Sequence, residues 1–189
     1  MSLNLPPMLV SERLHYAPIS QYCIPDIVKL LEDYETVYLL TYAPFPYTEN
    51  DALMWVNHVM NMNNHGYGYF WGIYDFENKF IGTVGLSVDP EHEKGELHYW
   101  LGHEYWGQGY GTEAAKRIIK FAFETKNLER LMVNCLTRNT RSEHVIKKCG
   151  FKFEGEAEHY VKRFGVFENV KFYRLLSSEF KNLYARNIL

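Results

Sequence analysis

The chain has 189 residues, 47% of them hydrophobic, a size that suits one domain spanning residues 1–189 with a full core and no staples. Its 20 Lys and Arg against 23 Asp and Glu leave a net charge of −3 and no global pull toward nucleic acid, and three cysteines without a C-x-x-C pair indicate neither a disulfide framework nor a cysteine zinc site. No apolar run approaches the ~20 residues of a membrane span, and the opening MSLNLPPM lacks the regions of a secretory signal, so a reduced, cytoplasmic domain is expected.

Leu9 to Pro18 reads as a first strand closed by proline. From 25 to 40, Ile27, Leu30, Leu31, Tyr34 and Tyr38 recur at helical spacing behind Pro25, which suits a first helical turn. Two prolines keep Tyr42 to Tyr47 out of regular helix, and Thr48-x-x-Asp51 then opens a second helix through Trp55, Val59 and Met62. The period changes next: Tyr69 to Tyr74 and Phe80 to Val88 are strands joined by a hairpin at Asp75 to Lys79. Gly95 to Leu101 is a third strand, with Glu96, His98 and Trp100 on one face and Leu97, Tyr99 and Leu101 on the other. The three make an antiparallel meander. After the glycine-rich Tyr105 to Thr112 come a helix burying Ala115, Ile118, Ile119 and Ala122 and a buried strand from Leu131 to Leu136. Such a β-α-β crossover should be right-handed and set its two strands parallel. Thr140-x-x-Glu143 reads as a capping box for a helix through Lys148, stopped by Gly150 with Phe151 as its apolar contact. Residues 151–161 and 166–176 close the chain as paired strands. The expected fold is α+β, a mixed central sheet of about seven strands flanked by helices.

The chemistry should gather at Trp106-Gly-Gln-Gly-Tyr-Gly-Thr112, between a strand and a helix. Glycines there admit close backbone approach, and the N–H groups of a helix start attract phosphate. Thr112 occupies the third glycine's place of a dinucleotide fingerprint, and no lysine marks a P-loop. A tight turn whose glycines serve packing is the competing reading.

Around this loop, Glu96-Leu-His-Tyr-Trp-Leu101, Tyr105-Trp-Gly-Gln-Gly-Tyr-Gly-Thr-Glu-Ala114, Asn139-x-x-Ser142 and Lys148-Cys-Gly-Phe151 follow in order, and Ser11-Glu-Arg-Leu14…Pro18 fits the same pattern. Over nearly its whole length the sequence resembles the GNAT superfamily of N-acetyltransferases, in the branch of the ribosomal-protein N-terminal acetyltransferases RimJ and RimL. The resemblance implies the acyl-CoA N-acyltransferase fold, with acetyl-CoA as donor and no metal. It implies a diphosphate cradle of main-chain N–H groups from Gln108 through Gly109, Tyr110 and Gly111 to Thr112, behind Gly107 and a Trp106 that stands where the family often has Gln or Arg. The pantetheine arm would lie beside Trp100, Leu101 and Gly102, with the Leu101 N–H as an oxyanion-type contact. Asn139 matches the position that bonds pantetheine, and Ser142 the position whose hydroxyl lies near the leaving sulfur. A loop residue and a first-turn serine are the plainer readings of the two. Tyr42, Phe45 and Tyr47 would border the acceptor, and His98, where the branch carries glycine, would narrow the surface facing it.

An acceptor amine must be neutral to attack. An α-amine of pKa ~7.7–8.0 is about a tenth neutral at pH 7, and a lysine amine near ~10.4 only about four parts in ten thousand, a gap of roughly 3 kcal/mol. An α-amine therefore makes modest demands on a base, and the RimJ/RimL-like blocks favour a protein or peptide N-terminus. A polyamine or other small amine is the alternative acceptor, and a non-catalytic acyl-CoA-binding module the rival from another class. Glu96 is the candidate base, acting directly or through water; a salt-bridge partner is its other reading. His98, Glu158 and His159 are reserves, and Val161 stands near where some RimL-like enzymes place a glutamate. Glu143 belongs to the expected capping box. Cys135 and Cys149 lack evident His–Asp support, so direct transfer without a covalent enzyme intermediate is expected. His92, His98 and His103 come without H-E-x-x-H, so no metal is expected. Arg138, Arg141, Lys147, Lys148 and Lys152 form either a solvated face or a seat for the terminal phosphate of CoA. No nucleic acid or membrane partner is expected, and the chain should be a monomer or homodimer.

Overall fold

A computed structural model describes residues 5–185; residues 1–4 and 186–189, part of the expected 1–189 domain, lie outside the described residues. One mixed sheet holds β1 (Leu9–Val10), β2 (Leu14–Pro18), β3 (Gly68–Asp75), β4 (Phe80–Asp89), β5 (Lys94–Leu101), β6 (Arg130–Leu136), β7 (Lys152–Arg163) and β8 (Val166–Leu176). Their order is β1-β2-β3-β4-β5-β6-β8-β7. The count is eight rather than about seven because the first strand folds back on itself. The Ser11 N–H donates to the Leu14 carbonyl at 2.8 Å, turning Leu9–Pro18 into a hairpin that sets Leu9 opposite Tyr16.

β3 through β5 form the expected antiparallel meander, β2 extends it by pairing antiparallel with β3, and β5 pairs parallel with β6 after the crossover. That parallel pairing runs from Lys94 opposite Arg130 to Glu96 opposite Met132 and stops there. Beyond Glu96 the two strands part, while β6 remains bonded to β8 on its other side.

Helices cover both faces. On one lie α1 (Ile24–Leu31), α2 (Tyr34–Tyr38) and α3 (Glu49–His65); on the other lie α4 (Tyr110–Lys120), which runs into a π-helical turn at Phe121–Thr125, and α5 (Thr140–Lys148). Trp55 of α3 meets Phe70 edge-on, while Tyr69 and Trp71, pointing the other way, meet Phe121. Alternation along β3 therefore feeds both layers, and Tyr16, Trp71, Ile118 and Leu131 are fully buried between them. Burying one large aliphatic side chain in this way contributes about 1.5–3 kcal/mol. Among the described residues, no helix is long and apolar enough to cross a membrane.

Three local expectations are corrected. The helix expected over 25–40 is two helices, because the Asp33 carboxylate accepts from the Thr36 N–H at 3.0 Å and from its hydroxyl at 2.8 Å, capping a new helix. Apolar periodicity runs through the break because both pieces bury residues in one core. α5 is capped by Asn139, whose Oδ1 accepts from the Ser142 N–H at 3.0 Å, and not by a Thr140–Glu143 box. Its stop is as expected: Gly150 is left-handed at φ +84°, and the Phe151 N–H reaches back to the Ile146 carbonyl at 3.3 Å. Finally, α6 (Ser177–Ala185) extends past the last expected strand, and Phe180 stacks on Phe123 at 4.9 Å.

Candidate active site

A cleft of about 470 Å³ opens beside the C-terminal half of β5, where β6 has already diverged. Trp100 and Leu101 form its strand wall, Gly107, Gly109, Tyr110, Gly111 and Thr112 its loop wall, and Asn139 and Ser142 the wall from α5. Residues far apart in the chain thus meet as expected. Thr36 of α2 and Leu39 and Leu40 just after it close the cleft, a side that sequence reasoning did not assign.

The loop leaves its backbone open to close approach. Gly107 and Gly109 adopt φ of +74° and +85°, which L side chains rarely take. A Cβ on Gly107 would meet nothing within 4 Å, so packing does not explain that glycine. Gly109 is the N-cap of α4 and offers no side chain to its first-turn N–H groups. These amides and the helix dipole face a wall of the cleft.

Two residues expected to hold the cofactor stand off the wall: Gly102, expected beside the pantetheine arm, and Gln108, expected in the diphosphate cradle. The Gly102 N–H is spent on the Ile81 carbonyl at 3.1 Å, and the absence of a side chain there lets Leu30 pack close, 2.8 Å from where a Cβ would be. Gln108 turns its amide to the Glu104 carbonyl at 3.0 Å, and its own carbonyl is taken by Arg13 at 2.9 Å. The Gly102 bond does locate its neighbour: since Gly102 donates toward β4, strand alternation turns the Leu101 N–H to the opposite side, into the gap left by β6. The Leu101 carbonyl on that side is occupied by the Trp106 indole at 2.9 Å.

Ser142 faces a partner that sequence reasoning missed. Its Oγ lies 2.8 Å from the Tyr99 hydroxyl, and that hydroxyl is also 3.3 Å from the Ser142 carbonyl. Burial pushes the Tyr99 phenol well above its usual pKa, so it stays protonated and remains a donor. Its place on the face of β5 shared with Leu97 and Leu101 was legible; its meeting with α5 was not. Asn139 lines the cleft while spending its Oδ1 on the cap and approaching the Leu39 carbonyl with Nδ2 at 3.4 Å.

Glu96 lies on the other face of β5, off the cleft wall, at the last residue paired with β6. The Asn134 amide donates to its Oε1 at 2.5 Å across the strand fork. Asn134 was also missed, although a lone polar residue alternating with buried Leu131, Val133 and Cys135 was a usable signal. Ser142 and Glu96 therefore flank the fork from opposite faces. His98 sits beside Glu96, stacked on Phe70, with Nε2 2.8 Å from the Ser87 hydroxyl. Burial lowers its pKa against the pull of Glu96, which favours the neutral imidazole.

Of the three aromatics expected at the acceptor side, Tyr42 is largely exposed, and partial desolvation of its hydroxyl, then Tyr160 and the charge of Glu96, raise its pKa. Phe45 packs edge-on to Tyr34 at 5.0 Å, and Tyr47 packs against the core, its phenol pushed up to about 12 by burial. The reserve bases Glu158 and His159 are exposed on β7, His159 stacked on Phe167.

The expected basic seat disperses. Arg138 pairs with Glu168 at 2.9 Å, Lys147 with Glu143 at 2.6 Å and Lys152 with Glu179 at 2.7 Å. Arg141 and Lys148 remain on the cleft, with the Arg141 guanidinium 5.3 Å from the Trp106 ring. Glu143, expected to cap, is instead a hub: hydrogen bonds from Lys147, Lys171 and Tyr173 bring its carboxyl down to about 2. Burial pushes the Cys135 thiol up to about 11 and that of Cys149 up to about 12, so neither is a thiolate near neutrality.

A mixed sheet forked after its central strand, with a glycine loop opening an uncapped helix in the fork, is the architecture of an acyl-CoA N-acyltransferase. The model of the acetyltransferase (GNAT) domain family matches residues 13–152, and the chain belongs to that family. An uncharacterized N-acetyltransferase, p20 of Bacillus licheniformis, is 32% identical over 104 residues, covering 54% of this chain and 58% of that protein's length. The ribosomal-protein-serine acetyltransferase of Escherichia coli is 25% identical over 149 residues, 77% of this chain and 83% of that one. RimL, a ribosomal-protein alpha-N acetyltransferase solved in complex with coenzyme A, superposes with a TM-score of 0.83 at 17% identity over 92% of this chain and 99% of that one.

Proposed function

We propose that the chain is a single-domain N-acetyltransferase that moves the acetyl group of acetyl-CoA directly to a primary amine, above all the α-amine of a protein or peptide N-terminus. The observation that carries this is the fork: β5 and β6 separate after Glu96, and the cleft so opened runs past the uncapped start of α4. The names of the E. coli relative and of RimL support a protein acceptor.

Bound acetyl-CoA supplies an activated thioester. The N–H groups of Gly109, Tyr110, Gly111 and Thr112 hold its diphosphate, and the strand edge at Trp100 and Leu101 holds the pantetheine beside Asn139. Leu101 directs its N–H at the thioester carbonyl, where negative charge develops. Glu96, oriented by Asn134, takes the proton of the incoming amine, directly or through water. Neutral His98 shapes the surface beside it, and Tyr42 with Tyr160 borders the acceptor's entry. Ser142 offers its hydroxyl proton to the departing sulfur when the Tyr99 hydroxyl, 2.8 Å away, turns its own proton to the Ser142 Oγ and leaves the serine proton free for the cleft. The buried, protonated thiols support transfer without a cysteine intermediate.

Thiol release at saturating acetyl-CoA over Ala- and Ser-starting peptides, spermidine and free lysine tests the reading. Peptides should win by at least an order of magnitude in kcat/KM. Faster turnover of spermidine would replace the acceptor, and tight binding without thiol release from any amine would replace the activity by a binding module.

A further inference from the structure

The turn between β1 and β2 lies about a hundred residues from the glycine loop in sequence, yet its side chains grip that loop. Glu113, in the first turn of α4, receives the Ser11 hydroxyl at 2.7 Å and the Arg13 main-chain N–H at 2.7 Å on Oε1, and the Arg13 Nε at 2.8 Å on Oε2. Burial works against this carboxylate, but the bonds from Ser11 and Arg13 outweigh it and hold its pKa below the usual range. The same guanidinium lies 4.6 Å from the Tyr110 ring and donates Nη1 to the Gln108 carbonyl at 2.9 Å. Its Nη2 stands 3.2 Å from where a Cβ on Gly109 would be.

That last bond to Gln108 has a geometric consequence. In a trans peptide the C=O and the following N–H point in opposite directions. Holding the Gln108 carbonyl toward Arg13 therefore turns the Gly109 N–H the other way, away from the clamp. Because Arg13 is already paired with Glu113, its charge is largely offset and the effect is one of aim.

We infer that Arg13, anchored by Glu113 and Ser11, is a positioning residue that fixes the Gln108–Gly109 peptide so that the loop presents its N–H groups to the diphosphate of acyl-CoA donors. The inference rests on the proposed cofactor seat. It predicts that Arg13 sets the enzyme's preference for donors that carry a diphosphate over donors that lack one.

The test compares acetyl-CoA with S-acetylpantetheine, which has the same reacting end and no diphosphate, for the wild type, Arg13→Ala and Arg13→Lys, with a melting curve for each. Arg13→Ala should lower the ratio of kcat/KM for acetyl-CoA over S-acetylpantetheine about tenfold, through KM for acetyl-CoA, as expected for one charge-assisted bond. Arg13→Lys, which keeps the charge but not the forked grip, should lose most of the same ratio. Equal losses with both donors, tracking a fall in melting temperature, would reduce Arg13 to a folding role and overturn the inference. So would a ratio left intact in a folded Arg13→Ala. If the wild type itself shows no preference for acetyl-CoA, the cofactor seat is wrong, and the clamp falls with it.

Discussion

Removing the Tyr99 hydroxyl should slow thioester cleavage in a way that depends on the leaving group. In Tyr99→Phe the ring keeps its packing, but the 2.8 Å bond to Ser142 Oγ and the 3.3 Å approach to the Ser142 carbonyl are lost. A neutral hydrogen bond contributes about 1 kcal/mol, close to fivefold in rate, and the phenol has a single proton to donate, so its loss should lower kcat by about fivefold. KM for acetyl-CoA should hold, since Tyr99 gives the donor no bond of its own in this scheme. Thiol release should be followed with acetyl-CoA and with acetyl thioesters of progressively more acidic thiols, whose thiolates need less help to leave. The deficit of Tyr99→Phe should shrink along that series. Because Tyr99 acts through Ser142, Tyr99→Phe added to Ser142→Ala should cost little more than Ser142→Ala alone. Additive losses, or a deficit of equal size for every leaving group, would refute the relay and leave Tyr99 a packing residue.

Glu96→Gln should lower kcat/KM for peptide amines by about a hundredfold or more near pH 7, with a smaller deficit above pH ~8, where the α-amine deprotonates unaided; a pH–rate profile reads both. Gly109→Ala should weaken acetyl-CoA binding more than Gly107→Ala, as measured by calorimetry. Both add a Cβ at positive φ, about 1–2 kcal/mol of strain, but only at Gly109 does the methyl press on Arg13. Glu143 has a folded pKa of about 2, below its unfolded value, so its stabilisation is present at pH above ~4.5 and is lost as pH falls toward 2. Glu143→Gln should therefore melt lower at pH 6 and show less acid dependence between pH 5 and pH 2 than the wild type; parallel curves would refute this role for the hub.

Local signals sufficed for much of this protein. Hydrophobic period placed the meander and the crossover, Thr48 and Asp51 marked the start of α3, and Gly150 with Phe151 marked the end of α5, because each of these depends on residues within a turn or two. The same locality explains what was misread. Asp33 and Asn139 compete with neighbouring residues for the same cap position, and which residue wins depends on where the chain has to turn to meet the sheet. The glycine loop could be singled out as a turn because its need for positive φ is written into the residue type, whereas its reading as a cofactor seat came from the resemblance of the motifs around it. Tertiary structure alone decided which side chains serve it. Tyr99 reaches Ser142, Asn134 reaches Glu96 and Arg13 reaches Gln108 across long stretches of chain, through strand order and the divergence of β5 from β6. Those meetings are set by the summed packing of two helical layers on a twisted sheet, and no short-range rule encodes such a sum.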